Sequence, residues 1–146
     1  MKKSLINSAI LPLIFSLLLT ACGETKDAAY SDWVAAQEDG AIERGWIPNW
    51  LPRSSQNLKE AHDLDSNASI LALTFSEDEN WQVPDSCEPA QEELPAPGLK
   101  RVWWPSRLHK RPDRYLVFYV CRKSKTIRLK TSYLAIQGNK IYFWRP

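Results

Sequence analysis

The sequence predicts an α+β domain, with two short helices followed by a mainly antiparallel sheet of about four to five strands and one disulfide. Three observations lead there. Apolar residues keep a helical spacing only early, around Trp33 and again after Pro52. From Ile70 onward, short apolar runs alternate with polar turns, as strands do. Finally, Gln137-Gly138-Asn139-Lys140 places a Gly-Asn pair between two such runs, which suits a two-residue hairpin turn.

The chain opens with a basic Met1-Lys2-Lys3 and an apolar run from Leu5 to Leu19, interrupted by Asn7 and Pro12. Small residues and a Cys close it, as in a secretory signal rather than a spanning helix. Leu19-Thr20-Ala21-Cys22 resembles the lipobox of bacterial lipoproteins. That resemblance implies cleavage before Cys22, a diacylglycerol thioether on its sulfur and an acyl chain on the new amino group. Several acyl chains anchor stably where one is marginal. The alternative is an ordinary signal peptide with an incidental Cys. Gly23, rather than Asp, follows Cys22. In bacteria with two membranes this implies the outer membrane. The expected organisation is a signal peptide over 1–21, a lipidated tether over 22–30 and a single small α+β domain over 31–146.

Ser31 is a candidate cap for a helix running to Asp39, with Gly40 as its stop. Next comes Gly45-Trp46-Ile47-Pro48-Asn49-Trp50-Leu51-Pro52. Its prolines fix backbone angles and remove donors, so it reads as a stiff, extended motif in which Trp46, Pro48, Trp50 and Pro52 set the shape. Ser54 and Ser55 then cap a second helix, whose thin stripe of Leu58, Ala61 and Leu64 ends it near His62. Strands follow at Ile70–Phe75, Leu99–Trp104, Tyr115–Cys121 and Ile141–Trp144, with a long proline-containing loop over 81–97. Ile127 and Leu129 occupy one parity, Leu134 and Ile136 the other. A bulge or break is therefore expected near Thr131–Tyr133.

With Cys22 lipidated, Cys87 and Cys121 remain, and an oxidising envelope pairs them. All seven Trp follow the signal segment. A buried Trp removes roughly 150–250 Å² from water, worth about 4–6 kcal/mol, so a few can carry a small core. Charge is divided along the chain: residues 22–97 hold four Lys/Arg against sixteen Asp/Glu, while 98–146 hold thirteen against one, Asp113. Either the two halves interleave in the fold or a basic face meets anionic partners.

Few constellations carry chemistry. Asp63-Leu64-Asp65-Ser66-Asn67 imitates the start of a calcium loop, but Ala68 and Thr74 stand where Gly and Glu are needed. Its short polar side chains suit a turn instead. His62 with Asp63 and Asp65 is the one candidate for a hydrolytic or metal-dependent site on envelope polymers. No metal or cofactor is expected, and no catalytic residue is assigned. Arg107, Lys110, Arg111 and Arg114 form a candidate anion-binding loop for lipid headgroups or an acidic protein. Nucleic acid is not an expected partner outside the cytoplasm.

The run from Glu38 to Pro52, centred on Gly45-Trp46-Ile47-Pro48-Asn49-Trp50-Leu51-Pro52, with the Ser54-Ser55 pair and His62-Asp63-Leu64-Asp65-Ser66-Asn67, resembles a pattern found in small bacterial envelope lipoproteins for which no activity is established. Ser55 stands where the pattern has Ala. The resemblance implies a defined domain and transfers no catalytic residue. Together these readings give a lipid-anchored protein of the periplasmic face of the outer membrane. Its expected role is a non-enzymatic binding or structural module, with the membrane and another envelope protein as partners. The competing class is an enzyme at His62, Asp63 and Asp65.

Overall fold

A computed structural model describes residues 24–122 and 131–146. Its framework is one seven-stranded antiparallel sheet: β1 (Thr25–Asp32), β2 (Gln56–Asp63), β3 (Ser69–Thr74), β4 (Cys87–Pro89), β5 (Val117–Arg122), β6 (Thr131–Gln137) and β7 (Lys140–Arg145). The spatial order is β1-β2-β3-β7-β6-β5-β4. Among the described residues there is one α-helix, α1 (Trp33–Glu38), and a single 3-10 turn at Leu108–Lys110. This corrects the expectation of two helices and a sheet of four to five strands.

The expected second helix is β2. In a strand, Leu58, Glu60 and His62 point to one side, and all three are buried. Polar residues at two inward positions erase the apolar alternation that marks a strand. Ser54 and Ser55 are not helix caps: Ser54 Oγ donates to Glu79 at 2.5 Å, and Ser55 Oγ donates to the Pro52 carbonyl at 2.6 Å. The expected tether is also corrected. Residues 25–30 lie in β1, paired with β2 from Thr25 opposite Asp63 to Asp32 opposite Gln56. As an edge strand it stays mostly exposed, and its composition is that of a linker.

The first helix forms one residue later than expected. Asp32 Oδ1, not Ser31, accepts from the Ala35 amide at 2.9 Å, and Gly40 at φ 76° lies just beyond its end. The Trp-Pro segment is a series of turns rather than an extended run; Gly45 at φ 79° helps to reverse it. Ile47 and Leu51 are buried, while Trp46 and Trp50 are half-buried. Together with α1 this segment roofs one face of the sheet, over Leu58, Leu71, Leu134 and Phe143.

Irregular chain roofs the other face as well, where Leu94, Trp104, Leu108 and Leu116 meet Ile70, Phe118, Ala135 and Trp144. The expected strand at Leu99–Trp104 belongs to this roof. Trp104 meets Trp144 and Tyr142 edge-on, at 6.0 and 5.7 Å. With both faces covered, both parities of β6 are apolar. Along β6, Tyr133 and Ala135 serve one layer while Leu134 and Ile136 serve the other. Register with β5 and β7 is unbroken, so the bulge expected near Thr131–Tyr133 is absent. Ile127 and Leu129 lie outside the described residues.

Other expectations stand. The runs at Ile70–Phe75, Tyr115–Cys121 and Ile141–Trp144 correspond to β3, β5 and β7, and Gly138 takes φ 55° in the final hairpin. Cys87 and Cys121 form a disulfide (S–S 2.00 Å) and sit directly opposite each other in the β4–β5 register. The acidic and basic halves meet across the fold, Asp27 with Arg101 at 2.6 Å and Glu88 with Arg122 at 3.1 Å.

Candidate functional site

Strands β1 and β2 present Lys26, Ala28 and Tyr30 beside His62, Glu60 and Leu58. Period-two geometry puts these side chains on one face. The turns after α1 bring Asp39, Arg44 and Trp46 over them, leaving a partly open cavity of about 320 Å³.

At its base lies a buried ionisable pair. His62 Nδ1 is 2.9 and 3.0 Å from the two carboxylate oxygens of Glu60. Only 2 % of the Glu60 side chain and 10 % of that of His62 meet solvent. Burial raises the Glu60 carboxyl above its ordinary range, opposed by the hydrogen bond and charge of His62 and by the charge of Arg145. Arg145 comes from β7, where burial pulls its guanidinium down and the charge of Glu60 opposes this. It donates to the Gly45 carbonyl at 2.8 Å, tying β7 to the turn that carries Trp46. Trp46 lies flat on His62, ring centroids 3.6 Å apart and planes 8° from parallel.

Around the mouth the polar groups are already engaged. Tyr30 donates its hydroxyl proton to Asp39 at 2.7 Å, and its own titration is pushed up to about 12, by burial first and then by that bond. Arg44 reaches the same carboxylate at 2.7 Å and the Asp39 carbonyl at 2.6 Å. Both partners hold the Asp39 carboxyl below its usual value. Lys26 pairs with Glu24 at 2.6 Å.

The structure divides the sequence candidates. His62 lines the cavity, whereas Asp63 Oδ1 accepts from the amides of Asp65 and Ser66 and from the Ser66 hydroxyl. Asp63 thus builds the β2–β3 turn, as the short polar run suggests, and Asp65 is an exposed member of it. His62, Asp63 and Asp65 do not converge. Among the described residues no group of three His, Cys, Asp or Glu side chains is placed to hold a metal ion. Trp46 belongs to the site; Ile47, Pro48, Leu51 and Pro52 are buried, and Trp50 packs on Phe143 and Trp81. Sequence reasoning missed Glu60, Tyr30 and Lys26. Their signal was the shared period of two in Lys26-Ala28-Tyr30 and Leu58-Glu60-His62.

The basic loop is less free than its composition implies. Arg111 donates to the carbonyls of Ala90 and Glu92 and lies over the Phe118 ring at 4.8 Å. Arg114 lies over Tyr115, at 5.0 Å from the ring centre, and donates to its hydroxyl. Arg107 and Lys110 remain exposed, beside a buried Leu108. Cys22 falls outside the described residues, among which no helix is long and apolar enough to cross a membrane.

Residues 24–74 are similar to the family model described as YbbD head domain. The matched span contains β1, α1, the Trp-Pro turns, β2 and β3, and every residue that lines the cavity. No curated protein and no solved structure matches the chain.

Proposed function

We propose that this chain is a lipoprotein of the outer membrane, anchored through Cys22 at the periplasmic face, whose domain works as a non-enzymatic binding module of the cell envelope. The observation that carries the binding role is the preformed cavity between β1, β2 and the Trp46 turn. Its hydroxyl, cations and carboxylates already hold one another in fixed bonds, an arrangement suited to receiving a ligand without rearranging. The Tyr30 hydroxyl gives its proton to Asp39. The lipobox-like Leu19-Thr20-Ala21-Cys22 and Gly23 support the anchor.

The anchor also fits the geometry. The Glu24 carbonyl accepts from the Leu64 amide at 3.1 Å, so the domain already holds the chain two positions after Cys22. At most about 3.6 Å per residue, the lipid would hold the domain close against the bilayer. Contact with anionic headgroups would then fall to Arg107 and Lys110 rather than to the whole basic loop.

Metabolic labelling with a palmitate analogue tests the anchor. Wild type should be labelled and Cys22→Ala should not; equal labelling of both would remove it. Fractionation of the labelled protein should place it with outer membranes.

A further inference from the structure

We propose that the cavity beside Trp46 binds a neutral, polyhydroxylated ligand of the size of a sugar ring, with Nε2 of His62 hydrogen-bonded to one of its hydroxyls. This rests on the binding-module reading and names its ligand class.

Charge comes first. Lys26 faces Glu24, Arg44 faces Asp39, and Arg145 faces Glu60, so each charge at the site has its opposite beside it. These opposite charges largely cancel, so the site carries little net charge to attract an ion, which favours a neutral ligand.

Hydrogen-bonding capacity then selects among neutral ligands. The Tyr30 hydroxyl proton is committed to Asp39, and Arg44 makes two bonds to the same residue. Arg44 and Lys26 both line the cavity and keep further N–H donors, so donor and acceptor capacity are both spare. Nδ1 of His62 is engaged with Glu60, which leaves Nε2 as the second hydrogen-bonding atom of the ring. Nε2 has no protein partner among the described residues, although His62 is only 8 % exposed. The ring lines the cavity. Asp39 adds a second carboxylate oxygen, Oδ1, that takes none of the bonds from Tyr30 or Arg44. A site that offers both donors and acceptors suits a ligand rich in hydroxyls, which do both.

Shape agrees. Trp46 and Tyr30 give aromatic wall, Ala28, Ala41 and Leu64 give aliphatic wall, and the volume of about 320 Å³ lies at the small end of ligand cavities. A sugar ring has that amphiphilic form, with C–H faces for the aromatic rings and equatorial hydroxyls for the acceptors.

The test uses the full chain in detergent micelles, as wild type and as Cys22→Ala. Glucose, galactose and N-acetylglucosamine are the probes, with inorganic phosphate and choline as charged controls. Tryptophan fluorescence and the NMR signals of the His62 ring report occupancy. At least one sugar should bind at millimolar concentration, shift both His62 ring protons and bind both chains alike. Trp46→Ala and His62→Ala should weaken it by about tenfold or more. Where a variant unfolds, wild-type signals at His62 and Trp46, moving ahead of those at Trp104 and Trp144, carry the same information. Absence of any sugar-dependent shift, or tighter binding of phosphate or choline, overturns the proposal. Sugar binding by a chain that is never lipidated would uphold the site while removing the anchor.

Discussion

Trp46 and His62 lie face to face at 3.6 Å, although sixteen positions separate them in the chain. This stack joins the two ends of the Gly45–Asn67 pattern. It also explains why a turn segment carrying two prolines closes against a strand. Replacing Trp46 with Ala should cost about 2 kcal/mol, the lower side of large-to-small costs because the ring is only half-buried. Trp46→Phe should retain most of that stability. Urea denaturation of the three proteins measures both, and an unaffected Ala variant would remove the stack from the stabilising contacts.

Within the basic loop, the four cations should separate sharply. Arg111→Ala removes two carbonyl partners and the contact with Phe118, at a cost of about 2 kcal/mol. Arg107→Ser and Lys110→Ser should stay within about 0.5 kcal/mol of wild type. Comparable midpoints for all three variants would mean that Arg111 is ordinary surface after all.

The disulfide closes a loop with a sequence separation of 34. Chain-entropy reasoning gives its loss a cost of about 4 kcal/mol. The Cys87→Ser, Cys121→Ser double variant should therefore melt well below the oxidised protein. Adding reductant to the wild type should move it toward the same midpoint, and coincident melting before reduction would contradict the assignment.

Glu60 sets a pH dependence whose sign follows from its raised carboxyl. Its contribution is fully present below the ordinary value of 4.5 and is lost as pH rises through the raised folded value. His62, Arg145 and Asp27 face the same carboxylate. Glu60→Gln keeps an acceptor for Nδ1 and removes the charge. Its stability relative to wild type should therefore increase with pH over the acid range, measured by urea titrations at several pH values. A gap that narrows in the opposite direction would show that Glu60 is stabilised as the anion.

Much of the fold could be read from strands with apolar residues on both parities, because burial on two sides leaves a run such as Leu71–Leu73 unmistakable. The Gly138 turn and the Cys87–Cys121 pairing were legible for equally local reasons. What escaped was the part that builds the site. β1 is an exposed edge that composition cannot tell from a tether. In β2, Glu60 and His62 occupy inward positions that an apolar residue would normally fill, so the strand imitates a thin amphipathic helix. The cavity was hidden by the residues that make it polar. Leu99–Trp104 failed differently: its apolar residues cover a sheet face instead of joining the sheet.

Strand order has a consequence for biogenesis. β7 comes after all the other strands in the chain, yet it lies between β3 and β6 and is the bond between the two halves of the sheet. A polypeptide threaded across a membrane amino end first delivers β1, β2 and β3 early, with the outer edge of β3 unpaired until Lys140–Arg145 arrives to meet Ser69–Thr74. Such an edge, flanked by Leu71 and Leu73, is a template for pairing with a neighbouring chain. On the proposed route across the membrane there is thus an interval in which the protein depends on being kept apart from its own copies. The last strand to emerge ends that interval.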